Sequence, residues 1–312
     1  MEKNFDSEFD YTLEARNLNE VRDIILPKWG NKVYIPRPYL EYTSKHVLVM
    51  EFLNGTSLMK GLQQHFTALA ELMNINIEEL EAQKELMMRN NSFPYRSLEE
   101  EKQLGRKLRR ASWIRGLVKG RPQRSSSFSS KWGSDFLDLA YIVKTLFQEH
   151  ASEMFDAGAC NTDCHPGNVL LMHDGRLGLL DYGQVKRMEL SHRISFARMI
   201  MAIARDDREE ILRLHFDEIG VKTKYRNETI GYLASAFYYD RDTPDILGDK
   251  DVVNFMEYIE AQDPMVQLPE PFIMAWKGNA ILRGVAKILG IQVRTSQVWR
   301  NQAASFLKAH GF

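Results

Sequence analysis

Residues 162–184 read TDCHPGNVLLMHDGRLGLLDYGQ, and more of the fold hangs on this stretch than on any other. Two short apolar runs, Val169 to Met172 and Leu177 to Leu180, flank His173-Asp174-Gly175-Arg176. Asp-Gly between two such runs is a strong hairpin signal. Asp163 precedes the predicted hairpin, Asn168 enters it five residues later, and Asp181 leaves it thirteen residues further on, beside Tyr182-Gly183. Both ends of the ribbon are thus expected to present oxygen ligands to one side. Hard oxygens converging on one point suit Mg²⁺, which takes one or two carboxylates and completes its octahedron with water and phosphate oxygens. The plainer reading makes Asp163 and Asn168 turn residues and Asp181 a cap. Any one of them alone would favour it, and the three together on a hairpin of this length favour the site.

The rest of the chain bounds what such a site can belong to. With 312 residues, 44% of them hydrophobic, the chain can bury a large core as one domain or two unequal lobes. A net charge of −1 with 27% charged residues supplies no global field that would draw nucleic acid, so no nucleic-acid partner is expected. Cys160 and Cys164, four apart, make neither a disulfide framework nor the two ligand pairs of a structural zinc site. No window of about 18 apolar residues occurs, and MEKNFDSEFD at the start is acidic, so neither a membrane span nor a targeting peptide is expected.

Periodicity gives the map. Residues 5–26 place Leu13, Leu18, Val21, Ile24 and Ile25 at helical intervals, with Asp6 or Ser7 available as a cap. Two β-rich runs, Tyr39 to Thr43 and Val47 to Phe52, follow the prolines at 36 and 38 and end in a turn at Asn54-Gly55. Leu58 to Met88 and Phe136 to Phe155 read as helices, the quoted stretch as a hairpin, and everything after Met188 as helical. Strands followed by helices predict an α+β fold rather than a parallel α/β sheet.

Protein kinases use the Asp, Asn, Asp layout of the quoted stretch: a catalytic-loop Asp, an Asn five residues on, and an Asp-Phe-Gly after a short hairpin. Tyr182 in place of Phe keeps the aromatic packing role. The likeness narrows further. Asp163, His165, Pro166, Gly167 and Asn168, Leu179-Leu180-Asp181-Tyr182-Gly183-Gln184, and the upstream Glu8-Phe9-Asp10-Tyr11-Thr12-Leu13-Glu14-Ala15 resemble the UbiB family of atypical kinase-like proteins, also called aarF-domain proteins. The upstream motif matches the family's E-x-D-Y-x-x-E-A in full, whereas the loop departs from A-D-P-H-P-G-N at Thr162 and Cys164. The similarity covers residues 5–62 and 136–190 clearly.

The resemblance implies a protein-kinase-like fold with a truncated small lobe of one helix and about two strands. Residues 1–55 would be the small-lobe remnant and hinge. Residues 56–312 would be a mostly helical large lobe holding the hairpin (162–184) and an insertion at about 89–134. It implies ATP and Mg²⁺ as cofactors, Asn168 and Asp181 as metal ligands and Asp163 as the group that orients or deprotonates the nucleophile. Glu14 corresponds to the glutamate that pairs with a small-lobe lysine, and Glu8 with Asp10 to the acidic pair near the nucleotide pocket. Met50 would gate the adenine pocket and the backbone of Glu51 to Leu53 would face the adenine edge. Without the family pattern, the three acids would read as a helix start satisfying its dipole. His165 is expected to pack near Asp181 rather than act as a base.

No strand lysine, alanine-rich phosphate loop or K-x-G-Q extension precedes Glu8 in this sequence, and Gly158-Ala159-Cys160 lies in the wrong lobe to replace them. The expectation is a piece of a longer protein, because an exposed two-strand remnant would leave an open edge. The alternative is a shortened homologue acting as a binding partner. In function the resemblance implies an atypical kinase or ATPase supporting ubiquinone or related prenyl-lipid metabolism, in a mitochondrion or plastid if the family pattern holds. The competing class is an inactive pseudokinase scaffold in a lipid-biosynthesis complex. A kinship with aminoglycoside phosphotransferases is the weaker reading, since those lack the Glu8, Asp10, Glu14 motif and place their His before the Asp.

Lys102 to Lys131 holds ten Lys or Arg and no acid, with Leu104, Leu108, Ala111 or Trp113, Ile114, Leu117 and Val118 on an apolar side. Such a basic amphipathic segment predicts contact with a lipid or membrane surface. A solvated insertion is the other reading, because RSSSFSS carries no core pattern.

Overall fold

The computed structural model describes residues 10–89, 93–118, 132 and 136–312. Its first elements are helix α1 (Tyr11–Trp29), strands β1 (Val33–Tyr34) and β2 (Gly55–Ser57), and helices α2 (Leu58–Met73), α3 (Ile77–Arg89), α4 (Leu98–Val118) and α5 (Leu139–Ser152). Strands β3 (Ala159–Asn161), β4 (Val169–Met172), β5 (Leu177–Leu179) and β6 (Val185–Arg187) follow. The remainder is α6 (Leu190–Arg205), α7 (Arg208–Arg213), β7 (Lys222–Thr223), α8 (Glu228–Tyr239), α9 (Pro244–Leu247), α10 (Val252–Gln262), β8 (Met265–Gln267), α11 (Glu270–Ile288) and α12 (Thr295–Ala309). The α+β class is as the sequence predicts.

The predicted hairpin forms as β4 and β5, antiparallel, with Val169 opposite Leu179 and Leu171 opposite Leu177. Its turn closes through Gly175 N–H to the Met172 carbonyl at 2.9 Å and Met172 N–H to the Arg176 carbonyl at 3.0 Å. Asp174 Oδ2 accepts from Arg176 Nε at 2.8 Å. At the open end, Leu180 N–H reaches the Asn168 carbonyl at 3.0 Å. The ribbon is the centre of a four-stranded sheet ordered β1-β5-β4-β2, with β1 parallel to β5 and β2 antiparallel to β4.

The small-lobe strands are not the runs predicted from residue type. Tyr39 to Thr43 folds as a 3₁₀ turn at Leu40–Tyr42, and Val47 to Phe52 makes only isolated bridges, Ser44 with Val47 and Pro38 with Met50. Pro36 and Pro38 have no N–H to give to a ladder, so this segment keeps scattered backbone bonds, among them Tyr39 to Val49, Glu51 to Arg37 and the reciprocal pair of Ser44 and Val47, and no strand. The strands that do form lie on either side of it, and each takes the hairpin as its partner rather than the other.

Helix α1 begins at Tyr11, capped by Asp10, which accepts from Thr12 N–H at 3.0 Å and Thr12 Oγ1 at 2.6 Å. Asp6 and Ser7 lie outside the described residues. The buried face of α1 is Ala15, Leu18, Val21, Ile25 and Trp29, while Leu13 and Ile24 are exposed. The long helix predicted from Leu58 to Met88 is broken into α2 and α3 at Asn74, which adopts the left-handed conformation (φ 61°) and ends α2.

The chain divides into two compact units. The first comprises the described residues of Met1–Thr145 with His165–Gly183 and Val285–Gln292. Its core gathers Leu18, Val21, Val33, Ile35, Leu58, Leu171 and Leu177 around the four-stranded sheet. The second comprises Leu146–Cys164, Gln184–Gly284 and Val293–Phe312. Its core is aromatic: Phe155 stacks on Phe306 at 5.7 Å, Phe196 meets Tyr239 and Trp299 edge-on, and Trp299 Nε1 donates to the Phe147 carbonyl at 2.7 Å. The short sheets β3-β6 and β7-β8 in this unit carry no sequence signal longer than three residues. No helix of the described residues is long and apolar enough to cross a membrane.

Candidate functional site

In the first unit the hairpin delivers Asn168 and Asp181 to the same place. Asn168 Nδ2 donates to Asp181 Oδ2 at 2.9 Å, which fixes the amide and leaves its Oδ1 without a protein partner among the described residues. The other carboxylate oxygen, Oδ1, accepts from Gly183 N–H at 2.8 Å. Both side chains are half-buried, and Tyr182 between them and the core is fully buried, the packing role expected of this aromatic.

Helix α1 clamps the same turn from the other side. Asn17 Nδ2 donates to the Tyr182 carbonyl at 3.3 Å, and the Tyr182 N–H bonds to the Glu14 carboxylate. A β-carbon on Gly183 would lie 3.3 Å from Asp181 Oδ1 and 3.4 Å from Glu14 Oε2, so the two carboxylates flank one glycine. Burial, and then the Asp181 charge, push the Glu14 carboxyl up to about 7, against the Tyr182 N–H that pulls it down. Glu14 makes no ion pair with a lysine among the described residues. Asn17 was not foreseen, although its place three residues after Glu14 puts it on the same helix face.

The other expected nucleotide residues occupy varied places. Glu8 lies outside the described residues. Asp10 uses its carboxylate to cap α1. Met50 is half-buried and bridges Pro38. The Glu51 N–H is engaged by the Arg37 carbonyl at 2.8 Å, and its carboxylate accepts from the Tyr34 hydroxyl at 3.0 and 3.1 Å and from Arg37 N–H at 3.3 Å. Leu53 is buried against Gly178, and its N–H takes no partner among the described residues. His165 is exposed and caps the turn Pro166–Asn168 through Nδ1, so it does not pack as the sequence suggested.

Asp163 belongs to the second unit. Its N–H donates to Asn161 Oδ1 at 3.0 Å, and its side chain is half-buried. The loop before it is pinned at Thr162, whose N–H and Oγ1 both reach the Gln184 carbonyl at 3.1 Å. β3 and β6 zip the two arms together, with Asn161 opposite Val185. In chain terms, β3-β6 holds the arms carrying Asp163 and β4-β5 holds Asn168 and Asp181.

A model of the ABC1 atypical kinase-like domain matches residues 1–87 and 129–215, more than half of the chain and all the residues just described. The chain belongs to the ABC1 atypical kinase-like family. Among curated relatives it is 23% identical over 215 residues to an ABC1 family protein of Purpureocillium lilacinum, covering 66% of this chain and 27% of that protein. It is 21% identical over 178 residues to AarF domain-containing kinase 1 of Drosophila melanogaster, covering 52% of this chain and 34% of that one. The chain thus spans about a third or less of the length of these ABC1 and AarF relatives. A solved complex of Rv3197 with erythromycin from Mycobacterium tuberculosis shares the fold, with a TM-score of 0.52 at 13% identity over 94% of this chain and 57% of that one.

The donor set of the ABC1 site fits a hard divalent cation. An amide oxygen on Asn168, the Asp181 carboxylate and the Glu14 carboxylate beside it are all hard oxygen donors. No group of three or more His, Cys, Asp or Glu arranged to enclose a metal occurs among the described residues, so such an ion would need further oxygens from water or substrate.

Proposed function

We propose that this chain is the nucleotide-handling part of an ABC1-family phosphoryl-transfer protein that uses Mg-ATP in the metabolism of ubiquinone or a related prenyl lipid. One observation carries the reading: Asn168 and Asp181 are locked together at 2.9 Å at the open end of the hairpin, in a kinase-like family. Asn168 Oδ1 and the Asp181 carboxylate are the groups that would hold Mg²⁺. Bound there, the ion would neutralise phosphate charge. The Gly183 N–H and the Asn168 amide aim the Asp181 carboxylate. Asp163, its loop pinned by Asn161 and Gln184, orients or deprotonates the acceptor, a small-molecule hydroxyl or water.

Phosphate release by the purified chain tests Asp163. The Asp163→Asn variant should keep nucleotide affinity and release phosphate about 10²- to 10⁴-fold more slowly. Release at the wild-type rate would remove Asp163 from the chemistry.

The scaffold reading is favoured by a different observation. Glu14 faces Asp181 and the Tyr182 backbone and makes no lysine ion pair among the described residues. On that reading nucleotide binds without turnover, which the same assay detects.

The basic segment supports a lipid-surface partner by charge rather than by insertion. Within α4, Lys102, Arg106, Lys107 and Arg110 are exposed, while Leu104 and Leu108 are half-buried and Arg109 is held by Asp138 at 3.2 Å. The half-buried leucines therefore cannot also serve as a fully exposed inserting face. The 119–131 part of the segment lies outside the described residues. Sedimentation with anionic vesicles should fall when Arg106, Lys107 and Arg110 are replaced by Gln, and unchanged sedimentation would dismiss the surface.

A further inference from the structure

Helix α1 grips the turn that carries Asp181 through two successive peptide groups. Glu14, Asn17 and Leu18 fall at i, i+3 and i+4, on one face of the helix. Leu18 is fully buried in the core of the first unit, which fixes the backbone of this face and so the reach of its two polar side chains. Asn17 Nδ2 donates to the Tyr182 carbonyl at 3.3 Å, and the Glu14 carboxylate accepts the Tyr182 N–H. All of these residues, with Asn168, Asp181 and Gly183, lie in the first unit.

The Tyr182 carbonyl and the Gly183 N–H are the two ends of one planar peptide group. Asn17 therefore holds the oxygen end of the group whose nitrogen end donates to Asp181 Oδ1 at 2.8 Å. Turning that group over would point its carbonyl oxygen at the carboxylate in place of the N–H. No β-carbon resists the turn on the C-terminal side, because residue 183 is glycine. A carbonyl that accepts a hydrogen bond is also polarised so that the N–H of its group becomes the stronger donor. Asn17 thus acts on one carboxylate oxygen of Asp181 through a shared peptide, while Asn168 Nδ2 holds the other directly at 2.9 Å.

We infer that Asn17 is a positioning residue for Asp181 as a metal ligand and sets the concentration of divalent cation at which the site fills, an inference that rests on the nucleotide reading above. Its amide keeps the Tyr182–Gly183 peptide in the orientation that presents an N–H to the carboxylate. The carboxylate is thereby held in one direction before any ion arrives, and an ion does not have to order it. Glu14, one helical turn away, holds the preceding peptide and steadies the same turn.

Two measurements on the whole chain test this, using Asn17→Leu, which keeps the volume and removes the donor, and Asn17→Gln, which keeps a donor. In the metal-free protein, exchange of the Gly183 amide hydrogen followed by NMR should be about tenfold faster in Asn17→Leu than in wild type, with Asn17→Gln between them. In ATP titrations at stepped Mg²⁺, Asn17→Leu should need about tenfold more Mg²⁺ for half-maximal binding, and its ATP affinity should come within about twofold of wild type once Mg²⁺ saturates. Unchanged exchange at Gly183 would overturn the grip of Asn17 on the peptide. An Mg²⁺ midpoint that stays at the wild-type value, whether or not ATP affinity falls, would overturn its role in metal binding while the nucleotide reading stands. Faster exchange in Asn17→Leu with no Mg²⁺-dependent ATP binding by wild type would leave the grip standing and remove the nucleotide reading, and the metal role with it.

Discussion

Glu149 shows how one buried group writes itself into the behaviour of the protein. It is fully buried beside Glu153, whose Oε2 also meets His150 Nδ1 at 3.1 Å, and Cys164 Sγ lies 3.5 Å from the same ring nitrogen. Burial first, then the Glu153 charge and hydrogen bond, hold the Glu149 carboxyl well above its ordinary 4.5. The folded state keeps a proton that the unfolded chain gives up above about pH 4.5, so this group lowers stability progressively as pH rises from there towards its folded value. Glu149→Gln should therefore match wild type in urea stability near pH 4 and exceed it increasingly towards neutral pH. A constant difference across that range would mean that the carboxyl is ionised in the folded protein. At this scale the sequence named Asn168, Asp181 and Tyr182 because fixed spacing carries them. It gave no role to Asn17, which reaches the turn across 165 residues of chain.

At the scale of elements, the hairpin was legible because Asp174-Gly175 and the flanking apolar runs are local signals that agree with the pairing that forms. The small-lobe strands were misplaced because β-branched and aromatic residues at 39–52 promised a ladder that Pro36 and Pro38 cannot donate to. β1 and β2, at two and three residues, exist because the hairpin offers them partners, which no local pattern records. The helix at the site is set by its cap. Asp10→Ala removes the bonds to Thr12 and should cost about 1 kcal/mol of stability. Within the sheet, Leu171 is buried and pairs with both Leu177 and Thr56, and Leu171→Ala should cost about 2 to 5 kcal/mol. Chemical denaturation measures both. A cost at Leu171 no larger than at Asp10 would contradict the hairpin's place at the centre of the first unit.

On the scale of the whole molecule, each unit buries a histidine whose protonation burial opposes. His65 in the first accepts the Leu137 N–H at 3.1 Å, and His215 in the second meets Ser235 Oγ at 2.7 Å. Burial lowers both to about 4 from 6.5. The unfolded chain takes up these protons first as pH falls, so their contribution is present above about 6.5 and is lost on the way down to about 4. The urea midpoint of Glu149→Gln should fall steadily through that window, and a flat midpoint would mean that neither imidazole is held neutral. The family was readable in the sequence because two motifs, around Glu14 and around Asp163, fall where the ABC1 model matches. The division into two units was not, since it joins Val285–Gln292 to the hairpin's unit through contacts far apart in the chain, such as Gln292 N–H to the Arg96 carbonyl at 2.8 Å. The central claim is that Asn168 and Asp181 form a metal-dependent nucleotide site, and ATP titration of the wild type and Asp181→Asn with Mg²⁺ and with a chelator tests it most directly. The account predicts wild-type binding that weakens at least about tenfold without Mg²⁺, and an Asp181→Asn variant that binds weakly with or without the ion. Equal, Mg²⁺-dependent affinity in both proteins would contradict it.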